Sequence, residues 1–247
     1  MNRKPPNKPA PVLMPQSARH VDRVPKRIGG GSLTSERFRA NLVVKLKTLG
    51  IANQQVLDVM EKVPRHIFVD EAFASRAYED AALPIGYQQT ISRPFTVARF
   101  AEYALQNRKT LDRVLEVGTG CGYQAAVFAH LAKEVVSIER IEALYHKAAH
   151  NLTQAHVSNV KLIHGDGLLG VEGDAPFDVI VVAAAGLEIP QRLLNQLSIG
   201  GRLIVPVAAD QDQQVLVTVD RLEADKWHRR NKDLVKFVPL LKGTREV

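Results

Sequence analysis

Val114-Leu115-Glu116-Val117-Gly118-Thr119-Gly120-Cys121-Gly122-Tyr123 is a short apolar run that breaks into three glycines spaced two apart and then opens a helical pattern. A run of this length is short for a helix and long enough for a strand buried on both faces. Glycine tolerates positive φ and carries no Cβ, so such a loop lets its backbone approach a ligand. The N–H groups at the start of the following helix favour a negative group. Strand, glycine loop and helix together open a βαβ unit, which reads as an α/β fold. A tight turn with no ligand has the same local sequence, so the loop decides the fold and leaves the function open.

Working outward, the pattern predicts strands at 113–117, 134–138, 160–164, 177–183 and 202–207, with helices between them at 124–132, 141–154 and 190–197. Two late strands, 215–219 and 234–239, are close enough to pair antiparallel. Upstream, an amphipathic helix with Thr34 or Ser35 as N-cap carries Phe38, Leu42, Val43, Leu46 and Leu49 at helical spacing and stops at Gly50. A second helix spans 53–63 before Pro64, and a third spans 96–106. The stretch between them, with Leu83-Pro84-Ile85-Gly86, is rich in turns. The expected fold class is a Rossmann-like, mainly parallel sheet with helices on both faces and an N-terminal helical cap, formed by a single domain over 33–247.

Residues 1–32 are a different object. They hold six of the thirteen prolines and end in Gly29-Gly30-Gly31-Ser32. They also carry seven basic side chains against the single acid Asp22, which is +6 of the total formal charge of +7. The segment reads as a disordered basic arm. The pI of about 9.6 therefore describes the arm, and the remaining 215 residues are nearly neutral. No apolar stretch approaches the ~20 residues of a membrane span, and Val12-Leu13-Met14 is too short for a secretory h-region. One cysteine, Cys121, excludes an internal disulfide and a Cys-rich zinc site. A cytoplasmic location is expected.

Two acids agree with the glycine loop. Glu139 ends the second strand, 21 positions after Gly118, where a carboxylate meets the vicinal hydroxyls of a ribose. Asp166, in His164-Gly165-Asp166-Gly167, ends the third strand at the same sheet edge. A nucleoside-containing cofactor is the leading reading. Tyr123 stands where a dinucleotide fingerprint wants glycine, and no Gly-Lys-Ser/Thr follows, so NAD and nucleoside triphosphates fit less well than S-adenosylmethionine.

The blocks Ala82-Leu83-Pro84-Ile85-Gly86-Tyr87-Gln88-Gln89-Thr90-Ile91-Ser92-Arg93-Pro94-Phe95, Leu115 to Gln124, His164 to Gly167 and Phe237-Val238-Pro239-Leu240 closely resemble the protein-L-isoaspartate O-methyltransferases of bacterial type. The similarity runs over about 33–243, and the Thr90-Ile91-Ser92 block separates this family from other class I methyltransferases. The resemblance implies methyl transfer from S-adenosylmethionine to the α-carboxyl of L-isoaspartyl residues in damaged proteins, leaving S-adenosylhomocysteine. The ester then closes to a succinimide, whose hydrolysis restores part of the aspartyl linkage. It further implies Ser92 as the catalytic residue and Ser92, Val238 and Pro239 at the substrate, with Pro206 and Gln214 bordering the groove. For the cofactor it implies Thr90, Ile91, Glu116, Gly118, Thr119, Gly120, Gly122, Glu139, Asp166 and Gly167. The substrates are isoaspartyl-containing proteins and peptides. No metal, no specific nucleic acid, no membrane and a monomeric state are expected.

Other residues have plainer readings. Cys121 is expected to be a small loop residue, His66 and His164 lack metal-ligand spacing, and Asp178 at a strand start serves the fold. Arg93 and Tyr87 flank the serine block without an assigned role. A methyltransferase for a small molecule or nucleic acid shares the cofactor fold, and a degenerate scaffold whose basic arm binds RNA is a second alternative.

Overall fold

The computed structural model describes residues 31–106, 108–209 and 213–246, so the expected basic arm falls almost wholly outside the described residues. Seven strands form one sheet in the order β5-β4-β3-β6-β7-β8-β9: β3 (Leu111–Val117), β4 (Ala132–Glu139), β5 (Val160–His164), β6 (Phe177–Val182), β7 (Leu197–Ala208), β8 (Gln214–Glu223) and β9 (Lys226–Val235). The five from β5 to β7 run parallel, and β8 and β9 are antiparallel. The order turns back between β3 and β6, the place where open α/β sheets bind ligands.

Strand side chains alternate between two cores, as the pleat requires. Val114, Val135, Val179 and Ile204 face α1 (Gly31–Thr48), α2 (Gln54–Lys62), α3 (Pro94–Leu105), α4 (Tyr123–Ala129) and α5 (Glu142–Gln154). Leu115, Val136, Ile180 and Leu203 face α6 (Gln191–Asn195). Double burial explains why these strands read as continuous apolar runs.

Several boundaries depart from expectation. Helix α1 spans Gly31–Thr48, so Thr34 and Ser35 fall within it. Of the expected apolar stripe, Leu42, Val43 and Leu46 are buried, whereas Phe38 and Leu49 are largely exposed. Helices α4 and α6 are shorter than expected because β4 and β7 begin at Ala132 and Leu197. The antiparallel late pair is present, but its second strand is Lys226–Val235, eight residues ahead of the expected start at 234. That strand is the sheet's outer edge and mostly exposed, so it carries charges in place of an apolar run.

The turn-rich stretch before α3 is a hairpin, β1 (Leu83–Gly86) and β2 (Gln89–Ile91). Its two connecting residues, Tyr87 and Gln88, both take positive φ, 54° and 62°. This is the backbone of a type I′ turn, whose twist suits a two-residue hairpin but which favours Asn-Gly.

Candidate active site

A cleft open to solvent lies at the carboxyl ends of β3, β4 and β6. Segments distant in sequence meet in it, among them the hairpin with Ser92, the glycine loop after β3, the end of β4 at Ile138–Ile141, Gly167, Ala183-Ala184 and the chain from Val238 to Leu241. Of the sequence-predicted residues it brings together Thr90, Ile91, Ser92, Gly118, Thr119, Gly120, Glu139, Gly167, Val238 and Pro239.

The hairpin sits directly over the glycine loop. A Cβ added at Gly120 would lie 3.2 Å from Ile85 Cδ1. Lys147 of α5 donates to Ile85 O at 3.1 Å and pairs with Asp70 at 2.5 Å, holding the hairpin from behind. The buried Arg65 guanidinium donates to Ala77 O (2.8 Å) and Ala81 O (3.2 Å) and lies 4.6 Å from the Tyr123 ring centre, bridging the approach to the hairpin and the start of α4. Burial lowers its pKa, with Tyr123 partly opposing. Ser92 leaves β2 half-buried in the cleft, and its hydroxyl has no protein hydrogen-bond partner among the described residues.

Glu139 is 95% shielded from solvent, its Oε2 accepting from Gly120 N at 2.8 Å and its Oε1 from Ile141 N at 2.9 Å. Each carboxylate oxygen keeps a second acceptor direction. Gly167 is required by close packing: a Cβ there would stand 2.4 Å from Val117 Cγ1.

Three predicted contacts are placed elsewhere. Glu116 lies wholly buried beneath the loop, outside the cleft lining, and accepts from Ser137 Oγ at 2.5 Å; Ser137 in turn bonds Thr119 Oγ1 at 2.6 Å. Burial pushes its carboxyl up to about 8, with nearby Glu139 adding to the rise and Ser137 opposing it, so the group is mostly neutral at pH 7. Gly122, at φ 90°, serves packing: a Cβ would come within 3.3 Å of Leu152 and 3.4 Å of Ala148 on α5. Asp166 accepts from Leu168 N (2.9 Å) and Gly243 N (2.7 Å), anchoring the C-terminal segment next to the cleft.

That segment crosses the strand ends. Ala185 N donates to Val238 O and Leu240 N to Ala185 O, both at 2.8 Å, and Arg245 N donates to Arg140 O at 2.7 Å. Gln214 lies outside the cleft lining and clamps Phe237, donating to its carbonyl at 3.0 Å and accepting from its N–H at 2.6 Å. Pro206 contributes only its carbonyl, to Gly186 N. Cys121 is buried, and burial raises its thiol to about 11, so it is a small neutral loop residue. His164 bonds Arg140 O, His66 bonds the Tyr78 hydroxyl, and Asp178 caps the N–H groups of Asp112 and Arg113.

Sequence reasoning passed over Gln124, Arg140, Ala183, Ala184, Leu240 and Leu241, all of which line the cleft. Ala183-Ala184 after an apolar strand was a readable signal, since small residues at a strand's carboxyl end leave room for a ligand. Gln124 is buried, and its side chain lies against the Glu116 carboxyl, opposing with Ser137 the rise that burial imposes on it. Among the described residues no group of three His, Cys, Asp or Glu could hold a metal ion, and no helix is long and apolar enough to cross a membrane.

Fold and cleft together define an α/β protein of the class I methyltransferase type. A crystal structure of a Plasmodium falciparum protein described as a protein-L-isoaspartate O-methyltransferase, in complex with S-adenosyl-L-homocysteine, matches at a TM-score of 0.73 and 26% identity, over 83% of this chain and 99% of that one. Another solved structure named protein-L-isoaspartate O-methyltransferase matches at 0.74 and 29%, over 81% of this chain and 65% of that one. The Burkholderia ambifaria protein-L-isoaspartate O-methyltransferase is 55% identical over 216 residues, covering 87% of this chain and 69% of the relative. The family model for protein-L-isoaspartate(D-aspartate) O-methyltransferase matches residues 36–245, and the chain belongs to that family.

Proposed function

We propose that the cleft binds S-adenosylmethionine along the glycine loop and presents the α-carboxylate of an L-isoaspartyl residue to it from the Ser92 side. The observation that carries this is the placement of Ser92 and the Val238–Leu241 segment on the same cleft as the glycine loop and Glu139. The residues suit such a cofactor: Glu139 has acceptor directions left for vicinal ribose hydroxyls, and the backbone of the glycine loop lines the cleft beside it. When bound, the sulfonium supplies an electrophilic methyl group.

The protein's own contribution is modest in chemistry and large in geometry. The substrate carboxylate is ionised at pH 7, so no general base is needed to make the nucleophile. Ser92 donates a hydrogen bond that orients one carboxylate oxygen and leaves the other to attack in line. Thr90 and Ile91 set the Ser92 backbone, and the edge from Val238 to Leu240 holds the peptide. Alignment of this kind supplies several kcal/mol. Burial raises the Glu116 carboxyl, which reduces the negative charge under the loop. Asp166 acts through the chain that it anchors at Gly243, next to the cleft.

We assign residues 1–32 to an appendage outside the catalytic body. We further assign a cytoplasmic location, a monomeric state and substrates limited to isoaspartyl proteins and peptides. The test is base-labile methyl ester formed from labelled S-adenosylmethionine on a peptide pair differing only in isoaspartyl or aspartyl linkage. Labelling confined to the isoaspartyl peptide is expected; equal labelling of both, or none while the cofactor binds, would refute the proposal.

A further inference from the structure

A second groove lies next to the catalytic cleft. Arg93, Arg99 and Lys236 stand on its walls, Phe95 and Leu234 give it an apolar surface, and Asp233 is its one acidic lining residue. The two clefts are built on the same chain segments. Ser92 lines the first and Arg93 the second; Val238 lines the first and Lys236 the second. Phe237, between those last two, stacks on Phe100 at 5.6 Å and is clamped by Gln214, so the spacing of the clefts is held rigidly.

The groove presents cations while their counter-charges sit behind it. Arg93 pairs with Asp80 at 2.6 Å, yet the Arg93 side chain is 50% exposed and that of Asp80 only 1%. Asp80 is also held by Phe95 N. Arg99 pairs with Glu102 at 3.0 Å, and Glu102 is drawn inward by the N–H groups of Ala52 and Asn53. Asp233 accepts from the Tyr103 hydroxyl at 2.8 Å. Lys236 is exposed. The groove also borders the outer edge of β9, which pairs with β8 on one side only. Charges along β9 serve to discourage edge-to-edge pairing, but that role gives no reason for Leu234, 70% exposed, to line the same groove as the cations.

We propose that this groove is a subsite for acidic side chains close in sequence to the isoaspartyl residue, a specificity that rests on the methyl-transfer reading of the adjoining cleft. An extended peptide advances about 3.3 Å per residue. With its isoaspartyl carboxylate at Ser92, a side chain one to three positions away reaches Arg93, Arg99 and Lys236. Aspartate or glutamate there is attracted, and lysine or arginine repelled.

The experiment compares isoaspartyl peptides identical except for Glu, Gln or Lys at one position within three residues of the isoaspartyl, on either side, using the full-length protein and its Lys236→Glu variant. The wild type is expected to favour Glu over Lys by about three- to tenfold in kcat/KM at low ionic strength, mostly through KM, and less at high salt. Lys236→Glu should cancel or invert that preference on one side of the isoaspartyl and leave the Gln peptide within twofold. The basic arm is present in both proteins, so a preference arising from it would survive the substitution, and that result would overturn the proposal. Equal kcat/KM for Glu and Lys peptides in the wild type would overturn it as well. Methylation of no peptide, the Gln peptide included, would instead remove the catalytic reading and the subsite with it.

Discussion

Ser92 and Glu116 are the two side chains whose chemistry is most open to test. Ser92 faces a charged group in the proposed reaction, and a hydrogen bond to a charged partner contributes roughly 1.5–3 kcal/mol. Ser92→Ala should therefore lower kcat/KM on an isoaspartyl peptide by about 10- to 100-fold while calorimetry finds the affinity for S-adenosylhomocysteine within twofold. Equal losses in turnover and cofactor affinity would place Ser92 at the cofactor. Glu116 bears on stability. Its folded pKa, about 8, lies above the ordinary 4.5, so the native state holds the proton more tightly than the unfolded chain. That contribution is complete below pH 4.5 and is lost as pH rises through 8, to a total on the order of a few kcal/mol. Glu116→Gln cannot titrate. Thermal melts should show variant and wild type closest near pH 5, with the variant gaining steadily toward pH 9; a gap independent of pH would show that Glu116 is charged throughout.

Among the elements, the β1–β2 hairpin matters most, because it carries Thr90, Ile91 and Ser92 onto the glycine loop through a turn made of two residues poorly suited to it. Tyr87 and Gln88 sit at positive φ with side chains that disfavour it. Replacing them together by Asn-Gly should raise stability by about 1 kcal/mol, which for a chain of this size is a Tm increase of about 2–4 °C. The change keeps a two-residue loop between the paired residues Gly86 and Gln89, so methyl transfer should persist. A fall in Tm would mean that the Tyr87 and Gln88 side chains stabilise the turn by more than their backbone conformation costs.

For the whole molecule, the question is what the basic arm does. The family match covers 36–245, and the cleft is complete within the described residues. Removing residues 1–30 is expected to leave kcat/KM on a neutral isoaspartyl peptide within twofold, while retention on a cation-exchange matrix falls with the loss of about +6 in charge. A shortened protein with normal circular dichroism and no activity would show that the arm belongs to the catalytic body.

Much of this protein was legible along the chain. The α/β class followed from apolar runs that alternate with helical spacing, and five strand positions were readable because doubly buried strands must be apolar throughout. The glycine loop and Glu139, which meet at one cleft, were legible because glycines at fixed spacing and an acid at the end of the next strand stand out in the sequence. Ser92 became visible only through family resemblance, since a lone serine in a turn has no chemical signature. Strand β9 was expected eight residues too late because an exposed edge needs no apolar pattern. The roles of Gly122, Asp166 and Gln214 depend on partners at Ala148, Gly243 and Phe237, which local sequence does not indicate. Periodicity and residue type determined the class and the glycine loop. Only long-range packing decided which polar groups meet the cleft, which are buried beneath it, and which tie down the chain across it.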